Sequence, residues 1–139
     1  MDIAGVSGEN TDNIRYHGFL SHEESLALVS SSHFSILLRP DNKVSKAGFS
    51  TKVVESMSCA TPVITNNTGD LANFITDGES GYIFNGYSNA ELHSKLKEIA
   101  NHFDTSSYID ISKNAYSIAV NSFDSGVYKH NVEEFINNL

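Results

Sequence analysis

The chain has 139 residues, 40% of them hydrophobic, with a formal net charge of −8 and an isoelectric point of about 5.0. That length suits one domain with a real core. The acidic balance argues against nucleic acid as a partner, and no apolar run is long enough for a membrane span or follows the basic start of a secretory signal.

Residues 3–6 read as a strand ending at a glycine turn; Gly5 and Gly8 are too few for a dinucleotide fingerprint. Residues 14–17 alternate like a short strand and run into Gly18 and Phe19. Ser21 and Glu24 are spaced as a capping box opening a helix to about residue 31, with Leu26, Ala27 and Val29 as its apolar positions. The apolar run 34–38 predicts a buried strand. A polar loop over 39–47 follows, at the strand end where open α/β sheets place their ligands.

Residues 48–64 carry the most information. Phe49 and Ser50 open a helix, Val53, Val54 and Met57 give it one apolar face, and Thr61-Pro62 stops it. Val63-Ile64-Thr65 then begins a β-branched strand. Glu55 lies opposite the apolar face, so its carboxylate points away from the core. A helix start with free N–H groups beside such a carboxylate can hold phosphate with one part and sugar hydroxyls with the other. Equally, a lone helical Glu is usually just solvated. Arg39, Lys43, Lys46 and Lys52 are four of the nine Lys and Arg residues, an island that suits an anionic small ligand or is simply a solvated loop. Cys59, the one cysteine, excludes an internal disulfide, fits a reducing cytoplasm and reads as a buried small hydrophobe.

Beyond this, 66–70 is a turn-rich loop, 71–75 a short helix and 77–81 a turn into a strand at 82–84. Ser88 and Glu91 form a second capping box, for a helix with Leu92, Leu96 and Ile99 on one side. Residues 104–139 read as C-terminal helices with a break near 122–126. The six histidines are scattered without metal-ligand spacing, so neither a metal nor another cofactor is expected.

The segment 48–64 resembles the donor-site motif of retaining glycosyltransferases with two Rossmann-like domains, the GT-B fold of family 4. Phe49, Glu55, Met57, Cys59, Thr61, Pro62, Val63 and Ile64 fall on matching positions. A subgroup with Ala-Gly-Phe-Pro-Thr-Lys in the loop is closer still, matching Ala47, Gly48, Phe49, Thr51 and Lys52. The chain departs from the family at Ala47, where the first Glu of the family pair stands, at Ser50 for the subgroup proline, and at Ala60 for the glycine after Cys. Weaker matches extend the resemblance over roughly residues 3 to 100.

The resemblance implies an α/β, Rossmann-like parallel sheet with helices on both faces. The whole of 1–139 would be a single donor-binding domain, the C-terminal half of a GT-B enzyme lacking its first strand and helix. That strand is central in the family's sheet, so its loss should leave a gap, a weakly stable chain, or one completed by a strand from another copy. A nucleotide sugar would bind here, and a glycan or lipid-linked acceptor would bind through an N-terminal domain. Glu55 would accept from ribose hydroxyls, and the N–H groups of Gly48, Phe49, Ser50 and Thr51 would meet the sugar or diphosphate. Gly18 and Phe19 would flank the base, and Arg39 and Lys46 are further candidates for the diphosphate. No residue is assigned to catalysis. The setting implied is bacterial surface polysaccharide synthesis in the cytoplasm, at the inner face of the membrane for the full-length enzyme. Two alternatives stay open: a non-catalytic nucleotide-sugar or partner-binding module, and an unrelated receiver-like domain, which would want clustered aspartates where Asp2 stands alone.

Overall fold

The structure, a computed structural model, describes residues 1–138. In chain order it runs β1 (Asp2–Ile3), β2 (Arg15–Tyr16), α1 (His22–Ser30), β3 (Ser35–Leu37), α2 (Lys43–Ala47), α3 (Thr51–Ser58) and β4 (Val63–Asn66). A single 3₁₀ turn (Leu71–Asn73) follows, then β5 (Tyr82–Phe84), α4 (Asn89–His102), α5 (Thr105–Phe123) and α6 (Ser125–Asn137). No described helix is long and apolar enough to cross a membrane.

Every strand pairing is parallel, but the strands form two sheets: β1 with β2, and β3-β4-β5 with β4 in the middle. No ladder among the described residues joins them. The break falls where the resemblance puts a gap, so β1 and β3 each keep an unpaired edge. This corrects the expectation of a buried strand at 34–38. The Ser35 N–H bonds the Pro62 carbonyl on the β4 side at 3.1 Å, no described strand pairs the far edge, and Ile36 is 42% exposed. No residue before Ser45 is fully buried.

The core gathers around β4, whose four residues are all buried. Val53 and Met57 from α3, Val63, Leu71, Ile75, and Ala115 and Ala119 from α5 make one cluster. The two alanines let α5 lie close across α3, and each fully buried Val, Leu or Met there contributes about 1.5–3 kcal/mol. The Ser56 hydroxyl, in the same layer, donates to the Thr61 carbonyl at 2.8 Å and meets the Ser35 hydroxyl at 2.6 Å, tying α3 to β3 and to the turn into β4. Cys59 is half-buried rather than buried, because it caps the end of α3 instead of lying within it.

Both expected capping boxes form. Ser21 accepts from the Glu24 N–H, and Glu24 accepts from the Ser21 N–H at 2.7 Å; Ser88 and Glu91 repeat the arrangement. Lys95, 8% exposed on α4, pairs with Asp77 at 2.8 Å and Glu98 at 3.1 Å and fixes that helix to the loop before β5. Burial alone would lower its pKa, but the hydrogen bonds it donates to the two carboxylates outweigh it and hold the ammonium above its ordinary value. The loop 39–47 differs from expectation by folding its last five residues into α2, capped by Asn42, which accepts from the Ser45 N–H at 2.8 Å.

Two predictions follow from the helix ends. Ala60 sits at φ +56 just after α3, a left-handed position that costs a residue with a Cβ about 1–2 kcal/mol and glycine nothing. Ala60→Gly should therefore raise stability by about 1 kcal/mol, read as a higher melting temperature, after allowing for glycine's unfolded-state entropy. Asp104 caps α5, and hydrogen bonds from Ser106 and Ser107 hold its carboxyl at about 2. A depressed carboxylate contributes stability that is complete above its unfolded value near 3.8 and is lost as pH falls through about 2. Asp104→Ala should melt lower than wild type at pH 7, with the difference closing as both are taken down towards pH 2.

Candidate functional site

β3 hands the chain to the site. Its continuation is clamped at Arg39, whose backbone N–H donates to Asn66 Oδ1 at 2.9 Å and whose carbonyl accepts from Asn66 Nδ2 at 2.9 Å. Asn66, 1% exposed at the end of β4, also donates to the Thr68 hydroxyl at 2.9 Å, so its polar atoms are satisfied inside the fold. From this clamped residue the Arg39 guanidinium reaches forward and donates through Nη1 to the Gly48 carbonyl at 2.6 Å. The loop after β4 closes the other side: Gly69, at φ +63, would bring a Cβ to 3.5 Å from the Ser45 and Lys46 carbonyls of α2.

Between α2 and α3 lies the stretch 48–51. The Phe49 ring packs against Phe74 and Phe123, with centroids 5.2 Å from each and those two 4.7 Å apart, and adjoins the core cluster. Gly48 is extended, and a Cβ there would meet nothing within 4 Å. Ser50 is the cap residue of α3 but makes no side-chain cap bond; the Val53 N–H is taken by the Ser50 carbonyl at 3.1 Å, and the N–H groups of Thr51 and Lys52 before it face no capping side chain. Such groups, with the helix dipole behind them, favour an anion.

One turn further, Glu55 holds an ion pair with Lys52, Nζ to Oε2 at 2.7 Å, with side-chain exposures of 28% and 64%. Lys46 pairs with Asp41 at 2.5 Å. The structure thus brings Gly48, Phe49, Ser50, Thr51 and Glu55 into one continuous loop and helix start, with Arg39 bonded to it and Lys46 turned to Asp41. Gly18 and Phe19 stand on another corner. Gly18, at φ +65, accepts from the Gly5 N–H at 2.6 Å, and Phe19 is 89% exposed. No described side-chain hydrogen bond or ion pair ties that corner to the 39–55 cluster.

Asn66 is the member that the sequence did not single out, and an Asn ending an otherwise apolar strand was the available signal. Lys52, read in the basic island, has its i, i+3 partner in Glu55. Among the described residues no three His, Cys, Asp or Glu side chains gather as a metal ion would require. Two shallow cavities lie off the α3 start. One, of about 300 Å³, sits between the 76–80 loop and α5; the other, of about 100 Å³, sits by Leu38, Phe84 and the start of α4.

An exposed pair like Lys52–Glu55 adds at most about 1 kcal/mol to stability. Lys52→Met should shift the urea-unfolding free energy by less than that, which separates any effect on ligand binding from an effect on folding.

The family described as "Glycosyl transferases group 1" matches residues 7–117. No curated protein matches significantly. Among solved structures, the Anabaena protein HepE in complex with UDP is 20% identical with a TM-score of 0.67, the match covering 92% of this chain and 33% of that one. Sucrose-phosphate synthase from Thermosynechococcus elongatus is 18% identical with a TM-score of 0.67, over 91% of this chain and 30% of that one. The C-terminal domain of a group 1 glycosyl transferase, LpcC from Francisella tularensis, is 21% identical with a TM-score of 0.59, over 81% of this chain and 54% of that one. This chain therefore spans about a third of the length of HepE, and the likeness is one of α/β fold.

Proposed function

The chain belongs to the group 1 glycosyl transferases, and from that membership we propose that it is the donor-binding part of a family 4 enzyme, holding a nucleotide-activated sugar at the start of α3. The observation that carries the reading is the uncapped first turn of α3 with Glu55 one turn behind it. The turn offers donors for phosphate or sugar oxygens, and the carboxylate offers acceptors for ribose hydroxyls. Support for the ligand class comes from the fold likeness to HepE, which has been solved with UDP and with UDP-glucose.

In this reading the donors of residues 48–51 meet the sugar and diphosphate, and the corner at Gly18 and Phe19 flanks the base through its backbone. Glycosyl transfer breaks the bond between the sugar's anomeric carbon and the diphosphate. The electron pair stays with the departing oxygen, the sugar passes through an oxocarbenium-like state, and the acceptor oxygen bonds to it as its proton passes to the departing diphosphate. Charge grows on the diphosphate in that step, so N–H groups already aimed at it stabilise the transition state more than the ground state. The acceptor, a glycan or a lipid-linked glycan of surface polysaccharide synthesis, would be held by a further domain. Ala47, at the family's first Glu position, favours a second reading in which the module binds the nucleotide sugar without turning it over.

Calorimetric titration of the chain with UDP, UDP-glucose, GDP and ADP tests the reading. UDP should bind, and Glu55→Ala should weaken it by about 1–3 kcal/mol, the usual loss when a polar partner is removed. A folded chain that binds none of the four overturns the proposal.

A further inference from the structure

The geometry points to Arg39 as a positioning residue that turns the Gly48–Phe49 peptide so that the Phe49 N–H faces the ligand, with Asn66 holding Arg39 in place. This rests on the donor-site reading and assigns Arg39 a role other than direct contact with the diphosphate.

Three observations fix that peptide. The Arg39 guanidinium bonds the Gly48 carbonyl at 2.6 Å, the short distance of a charge-assisted hydrogen bond. The Gly48–Phe49 peptide is trans, and in a trans peptide the carbonyl and the following N–H point in opposite directions. Drawing the Gly48 carbonyl towards Arg39 therefore sends the Phe49 N–H the other way. The Phe49 ring, packed against the touching pair Phe74 and Phe123, anchors the far side of the same peptide.

Arg39 can hold a carbonyl in place only if its own backbone is fixed. Asn66 supplies this by engaging both the N–H and the carbonyl of Arg39 at 2.9 Å each, from a position 1% exposed. Its remaining amide hydrogen goes to Thr68, which sets the orientation of the amide. The chain of bonds thus runs from the buried end of β4, through Arg39, to the peptide where a ligand would land. Where a Cβ on Gly48 would stand there is open space, with no atom within 4 Å. A guanidinium spent on a carbonyl has fewer donors for phosphate, and its cation stays near the site as a background charge.

The test is amide NMR on the ¹⁵N-labelled chain, as wild type, Arg39→Gln and Asn66→Ala. Without ligand, both variants should move the Phe49 amide resonance in the same direction while the circular dichroism stays that of the wild type. On titration with UDP, the wild-type Phe49 amide should shift downfield. Both variants should lose that shift and bind about tenfold more weakly; in Asn66→Ala, which keeps the cation, the salt dependence of binding should stay unchanged. An Arg39→Gln chain that keeps the Phe49 shift while its binding weakens overturns the inference and makes Arg39 a direct phosphate ligand. Should Asn66→Ala not fold, Arg39→Lys takes its place: it keeps the charge but not the fork and should behave like Arg39→Gln. A wild-type chain that ignores UDP defeats the donor-site reading instead. The brace is then judged on the ligand-free spectra, standing if the variants move Phe49 together and falling if they leave it in place.

Discussion

The molecule depends on a strand that has no exposed side. β4 is four residues long, buried throughout, and hydrogen-bonded to β3 on one edge and β5 on the other. A parallel strand is stable only when both its faces are covered, and on the Val63 face α3 and α5 meet to do so. The same strand ends in Asn66, whose side chain cannot be left unbonded in that environment without losing about 1–3 kcal/mol. Its partners are the backbone of Arg39, so the requirement to satisfy one buried amide also decides where the chain leaves β3. Core packing and site geometry thus share a residue.

That coupling explains what could be read from the sequence and what could not. Helix starts at Ser21 and Ser88 were legible because a capping box is closed by residues three apart, whatever the rest of the chain does. The strand at Val63 and the outward Glu55 on α3 were legible from β-branching and helical spacing. The run 34–38 was misjudged because an apolar strand looks alike whether one neighbour or two will pair with it, and β3 has a single described neighbour. Helix α2 was missed because five residues carry little periodicity and its support comes from Asn42 and the loop at Gly69. In the site, the linear part, residues 48–55, was visible as a motif. The Asn66–Arg39–Gly48 relay was not, since its members stand 27 and 9 positions apart and meet only through the pairing of β3 with β4.

Charge tells the same story from the other direction. Read as a sequence, the stretch from Arg39 to Lys52 is a basic island in a chain of net charge −8, which by itself suits an anion. In the fold, Lys46 is matched by Asp41 and Lys52 by Glu55, and Arg39 is drawn to a carbonyl. What remains at the α3 start is less a pool of free cations than a set of oriented N–H groups. The two differ physically: exposed cations lose their pull beyond about 8 Å at physiological salt, whereas fixed dipoles act at contact distance and select for a ligand that fits. A site built this way pays for its selectivity in the precision of one peptide's orientation. The most consequential side chain near it is therefore one that a census of charges would count only as a cation.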